Sequence, residues 1–248
     1  MEPNKLADGR ANFTATHWSV VVAAAGEDPV QARPALEILC KRYWLPVYAF
    51  LRGIGKPPED AEDLTQSFFA QFIEEETVKK ADPSRGKFWT FLLTSVKNYQ
   101  VNEWQKQTAK KRGGGTTVVS IDAEDAEEFC NRNLICHETP ELAYERAWAH
   151  TLINGSLRKL KEEYTASGKQ DLFLKLEPGL TVGFDHGITS KLAEDLDMEQ
   201  AAVRTSLSRL KKRYREILQS EIRDTIGEKG DVESELRALF AVLAGQAL

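Results

Sequence analysis

The sequence predicts an all-α fold, two helical domains joined by an acidic linker. Three observations carry that prediction. Apolar residues recur at spacings of three and four along most of the chain, and runs with strand alternation are nearly absent. Clusters of glycine and proline cut the rest into pieces of helix length. Only residues 116–121 read as a strand.

Residues 1–33 are expected as an N-terminal extension and 34–112 as the first domain. Pro34 is placed to open a helix through Tyr43, with Leu36, Leu39 and Tyr43 on one face. Pro46 lacks the N–H of an unbroken helix and is expected to kink or restart it. Gly53-Ile54-Gly55-Lys56-Pro57-Pro58 is a turn. From Glu59 to Glu76, Ala61, Leu64, Phe68 and Phe72 step by three or four, with Phe69 and Ile73 widening the stripe. Asp60, Asp63 and Gln66 lie on the opposite face, and acids near the start suit the helix dipole. After the break at Asp82-Pro83-Ser84-Arg85-Gly86, a long helix is expected from Lys87 to Lys111. Its Phe88 and Phe91 belong in the core, and Trp89 is expected to be exposed.

Gly113-Gly114-Gly115 and the acids after it are expected as a linker over 113–138. The second domain spans 139–222. Thr139-Pro140-Glu141 opens a helix with a capping hydroxyl, a proline at the first helical position and an acid. That helix runs to about Tyr164 and buries Tyr144, Trp148, Leu152, Leu157 and Leu160. A short helix follows from Gln170 to Leu176. A helix-turn-helix occupies 189–215, and 223–248 is a C-terminal extension with an amphipathic helix from Asp231 to Leu243.

In the helix-turn-helix, Leu192, Ala193 and Leu196 face inward, and Met198 plugs the corner. The backbone after Leu196 is expected to turn left-handed, which Asp197 tolerates at some cost. Val203, Leu207 and Leu210 form the buried stripe of the second helix. Its other face carries Gln200, Arg204, Thr205, Ser208, Lys211 and Lys212, side chains able to read base edges and grip phosphates.

The net charge of −5 hides a strong segregation. From Lys79 to Arg112 nine Lys/Arg meet two acids, and from Gln200 to Arg215 six Lys/Arg meet none. The intervening 113–149 reverses this, with eight acids against Arg132 and Arg146. Two basic patches in an acidic chain are what local phosphate contact requires. No apolar run approaches the length of a membrane span. Cys40, Cys130 and Cys136 have no framework spacing, which favours a reducing, cytoplasmic setting. Cys130 and Cys136-His137 fall short of a metal-ligand set, so no metal or other cofactor is expected. No nucleophile–base pairing is visible, and the chain is not expected to be an enzyme.

Asp60-Ala61-Glu62-Asp63-Leu64-Thr65-Gln66-Ser67-Phe68-Phe69, then Gly86-Lys87-Phe88-Trp89-Thr90-Phe91-Leu92-Leu93 and Lys97-Asn98, resembles region 2 of bacterial RNA polymerase sigma factors of the extracytoplasmic-function (ECF) type. The helix-turn-helix resembles region 4 of the same family. Thr16-His17-Trp18-Ser19-Val20-Val21 with Tyr43-Trp44 is similar to the ECF-like factors of planctomycetes. Ser67 stands where the family more often has an acid, and Phe91 where it has Trp. The resemblance implies that Asp60, Asp63 and Gln66 dock on the clamp helices of the largest subunit of the polymerase core. It implies promoter DNA as second partner. The −10 element would be opened and read near Trp89, Lys97, Asn98 and Asn102, with Lys106, Lys110, Lys111 and Arg112 on upstream phosphates. The −35 element would meet Gln200, Arg204, Thr205 and Ser208, with Lys191, Arg209, Lys212 and Arg213 on phosphates. An anti-sigma factor is a further partner the resemblance admits. The competing reading is a dimeric helix-turn-helix regulator that acts without polymerase, the C-terminal helix forming its seam.

Overall fold

The computed structural model describes residues 18–109, 123–133, 139–181, 184–226 and 231–245. Among them the fold is all-α. Ten α-helices are present with three short 3-10 turns, and no strand. The segment 116–121 lies outside the described residues.

Helices α1 (Trp18–Ala25) and α2 (Pro29–Gly53) open the fold. The sequence placed the start of α2 at Pro34 and a break at Pro46. Instead Asp28 caps it, its carboxylate accepting from the Val30 N–H at 3.0 Å, and the helix continues through both prolines. Pro46 is buried, with Tyr43, Val47, Tyr48 and Leu51 around it in the core. Packing on several sides offsets the roughly 3 kcal/mol that an interior proline costs.

Helix α3 (Pro58–Glu74) buries Ala61, Thr65, Phe68, Phe69 and Phe72. Ile73, expected in the stripe, is exposed, and Thr65 takes a core position by donating its hydroxyl hydrogen to the Ala61 carbonyl at 2.7 Å. Helix α4 (Phe88–Ala109) runs uninterrupted and buries Phe88, Leu92, Leu93, Val96 and Tyr99.

Helix α5 (Ala123–Asn133) falls in the stretch expected as linker. Ala126, Phe129 and Cys130 form one apolar face and are buried in the core that α2 shares. Glu127 fixes the helix in place. Its carboxylate accepts from Arg52 Nε at 2.8 Å, Arg52 Nη2 at 2.9 Å and the Tyr48 hydroxyl at 2.6 Å. The acids drew the sequence reading toward a linker, while the short apolar stripe between them was the signal for a packed helix.

Helix α6 (Pro140–Ala166) starts at the expected cap, Thr139 Oγ1 accepting from the Leu142 N–H at 3.2 Å. It approaches α2 so closely that a Cβ on Gly53 would stand 2.9 Å from Pro140 Cα. After α7 (Gln170–Leu176), helices α8 (His186–Asp195) and α9 (Gln200–Ile226) form the pair expected from the sequence. Asp197 is left-handed at φ 49°, as the sequence required. The Met198 N–H reaches the Ala193 carbonyl at 2.9 Å and the Asp197 N–H reaches Glu194 at 3.2 Å, a Schellman closure. Helix α10 (Val232–Leu243) completes the chain, capped by Asp231.

Two apolar cores result. The larger gathers α1 to α5, the first half of α6 (Tyr144, Ala147, Trp148, Leu152), the end of α9 (Leu218, Ile222) and α10 (Leu236, Leu239). The smaller holds Leu160, Phe173, Leu176, Ala193, Val203, Leu210 and Ile217. Helices α6 and α9 thread both. Where they leave the larger core, Glu221 of α9, 2% exposed, pairs with Arg42 of α2 at 3.4 Å and with Lys159 of α6. The triad ties three helices from opposite ends of the sequence.

Candidate nucleic-acid interface

Helix α3 buries its phenylalanines and so turns its acids outward. Asp60 and Asp63 are exposed, and Gln66 is half-buried, its amide donating to Glu62 Oε1 at 3.2 Å. This places the expected polymerase-facing set together on one open, anionic face.

Helix α4 presents the opposite charge, and here the expected site is only partly open. Asn98 and Asn102 are exposed. With Gln71, Thr77, Lys80, Phe91 and Thr94 they line an open groove of about 270 Å³ between α3 and α4. Phe88 is buried, 5.4 Å from the Tyr43 ring centroid, whereas Phe91 is only half-buried and forms part of the groove wall. Lys80, Thr77 and Gln71 were not singled out from the sequence; the Lys79-Lys80 pair just after α3 was the available signal. Lys106 lies within α4 with its side chain outside the description, and Lys110, Lys111 and Arg112 lie outside the described residues.

Trp89 is not exposed as expected. Its ring stacks on Trp148 of α6, centroids 5.4 Å apart and planes at 29°, and lies 6.4 Å from Tyr144. The Tyr144 hydroxyl donates to the Trp89 carbonyl at 3.0 Å, and Lys87 Nζ sits 5.4 Å from the Trp89 ring centre. The aromatic wall comes from α6, which the sequence assigned to another domain, so α4 alone could not reveal it. Both indole N–H groups, of Trp89 and Trp148, are buried without a hydrogen-bond partner among the described residues, each at a cost of about 1–3 kcal/mol.

The cation within α4 and the one just before it are also engaged. Lys97 pairs with Glu141 of α6 at 2.7 Å and Lys87 with Glu235 of α10 at 2.5 Å. The hydrogen bond from Lys97 holds the Glu141 carboxyl below its usual range. Burial pushes Glu145 up, with Lys87 and Lys97 opposing and Glu141 and Glu235 reinforcing that rise. Three acids thus converge on two lysines along one seam.

On α9, Arg204, Thr205, Ser208, Arg209, Lys211 and Lys212 are exposed, and Lys191 of α8 joins them. Arg204, Ser208 and Lys211 share one face, lining a recess with Thr189 and Phe184. Gln200 is half-buried and donates to Ser190 Oγ at 3.0 Å, bracing the two helices. Arg213 is occupied by Glu163 of α6, through Nε at 2.8 Å and Nη2 at 2.7 Å, and by Glu216 at 3.1 Å. No helix of the described residues is long and apolar enough to cross a membrane.

An open acidic face on α3 thus stands beside the groove of Lys80, Asn98 and Asn102, and the exposed cations of α8 and α9 lie further along the chain. Residues 39–110, from α2 into the chain just beyond α4, match the family model for sigma-70 region 2. The match covers less than a third of the chain and supports a sigma-70 family factor, a family whose partners are RNA polymerase core and promoter DNA. No curated protein and no solved structure matches the chain.

Proposed function

We propose that this chain is an RNA polymerase sigma factor of the ECF type, of the planctomycete-like subgroup, acting in the cytoplasm. It joins the polymerase core through the outward face of α3 and directs promoter recognition and melting. The observation that carries this reading is the coincidence of the region 2 match with an open acidic face at Asp60, Asp63 and Gln66. Helix α4 and the groove of Asn98, Asn102, Lys80 and Phe91 would take unstacked bases of the −10 element, since an amide edge and an aromatic face suit a single exposed base. The α8–α9 pair is read as a region 4 helix-turn-helix, Arg204, Thr205 and Ser208 facing the −35 major groove and Lys191, Arg209 and Lys212 its phosphates. Gln200 and Arg213 join them once freed from Ser190 and Glu163.

A dimeric regulator would use α10 as its seam. That helix buries Leu236, Leu239 and Val242 within its own chain, which favours the monomeric factor. Co-purification with core polymerase tests the proposal. The full chain is expected to be retained by core. An Asp63→Ala/Gln66→Ala variant is expected to lose at least about tenfold in affinity with its helicity unchanged, because both side chains sit outside the core. Equal retention of variant and parent would remove α3 from the docking site, and no retention of the parent would overturn the sigma reading.

A further inference from the structure

The cationic face of α9 is not polar throughout. Between Arg204, Ser208 and Lys211 it sinks into an open recess of about 260 Å³. The apolar lining comes from Phe184, Val203 and Leu207. Val203 is fully buried, while Phe184 and Leu207 are half-buried and belong to the edge of the smaller core. Apolar carbon therefore reaches the surface inside a ring of a guanidinium, a hydroxyl and an ammonium group.

The sequence builds this floor deliberately. Phe184 precedes α8 and folds over the 3-10 turn Glu177–Leu180. A Cβ at Gly179 of that turn would stand 2.7 Å from Cε2 and Cζ of the Phe184 ring and 2.9 Å from Leu207 Cδ1. Only glycine lets the ring and the leucine close on the turn together. The next residue, Asp185, fixes the start of α8, its carboxylate accepting from the Ile188 N–H at 2.8 Å. The Asp185 carbonyl accepts from the hydroxyl of Thr189, another lining residue, at 2.7 Å. That hydroxyl is thus engaged within the chain, and the polar groups of the recess are those of its rim.

A rim of two exposed cations suits a polyanion, but phosphates have no use for an apolar floor. Within the major groove one feature of the bases is apolar, the 5-methyl group of thymine, and the other edges are donors and acceptors. We propose that this recess reads a thymine, its methyl group seated against Phe184 and Leu207 and the polar edges beside it met by Arg204 and Ser208. Phe184 is then a specificity-determining residue that lies outside the recognition helix. The proposal rests on the reading of α8–α9 as a region 4 helix-turn-helix, and it names which base that motif selects.

The test uses the full chain with core polymerase on a promoter duplex located by run-off transcription. Each thymine of the −35 region is replaced in turn by deoxyuridine, which lacks only the methyl group, and protection is titrated by footprinting. One replacement is expected to weaken protection roughly fourfold, the worth of burying one methyl group. Phe184→Ala is expected to protect the thymine and deoxyuridine duplexes equally, while Phe184→Leu keeps the preference for thymine. Circular dichroism establishes that both variants are folded, and if Phe184→Ala is not, the deoxyuridine series with the parent chain decides alone. A protected −35 region in which no thymine is sensitive, or which contains none, would overturn the recess while leaving the sigma reading intact. It would leave the floor to an apolar side chain of a protein partner. Undiminished discrimination by folded Phe184→Ala would also overturn it. Retention by core without any −35 protection would remove the region 4 reading and the recess with it.

Discussion

Arg204 and Arg213 differ in what their surroundings leave them free to do. Both lie on the cationic stretch of α9 that the sequence marks by its lack of acids. Arg204 is exposed beside Ser208 and Lys211, while Arg213 is gripped by Glu163 and Glu216. The hydrogen bonds that Arg213 donates to Glu163 and Glu216 raise its pKa further above its usual range, and Arg213 in turn lowers Glu163. Arg204→Ala is accordingly expected to weaken binding of the chain with polymerase to promoter duplex by about 1–3 kcal/mol. Its melting temperature should not move, because no core contact is lost. Footprinting of the −35 region and a thermal melt check the two halves, and a shift in melting with unchanged DNA binding would reverse the assignment. At this scale residue types were legible, because charge and periodicity place a side chain on a face. Occupancy was not legible. Glu163 lies fifty residues from Arg213, and nothing local in either segment announces the pairing.

At the scale of elements, α3, α4, α6, α7 and α10 follow from apolar spacing and caps, and the α8–α9 turn from the left-handed position at Asp197. Helix α9 runs on to Ile226, past the Arg215 at which the sequence reading ended its recognition helix, because Leu218 and Ile222 enter the larger core. Helix α5 was hidden by composition, its apolar face being three residues among acids. Its anchoring has a pH signature. Burial tends to raise Glu127, but the hydrogen bonds from Arg52 and Tyr48 outweigh this and hold it below its ordinary 4.5. Glu141 and Glu163 are held below 4.5 by the hydrogen bonds from Lys97 and Arg213. A carboxylate whose folded pKa is depressed contributes stability fully above the unfolded value, and loses it as pH falls through the folded one. Melting temperature is therefore expected to hold steady down to about pH 5 and then drop. In Glu127→Gln the drop should be shallower from a lower plateau. A variant that melts at the parent's temperature at pH 7 would mean that the carboxylate does not hold α5.

For the whole molecule, the sequence reading set out two bodies on a linker, and the structure shows helices from both sharing one core. The cause is physical. The apolar faces of α6 and α10 are compatible with any partner, and periodicity says that a face is buried but never against what. Trp148 and Leu236 were readable as buried, while their sharing a core with Phe88 and Tyr43 was not. The arrangement gives the chain an open acidic face on α3 and two threaded helices, α6 and α9, fastened by Glu221 to Arg42 and Lys159. On the proposed reading, the chain acquires its promoter contacts in company with polymerase. Run-off transcription with core polymerase on genomic fragments tests that claim most directly. Discrete start sites are expected only when the full-length chain is added, and fewer with Asp63→Ala/Gln66→Ala. Identical transcripts with and without the chain, or none at all despite tight binding of the chain alone to duplex DNA, would contradict it.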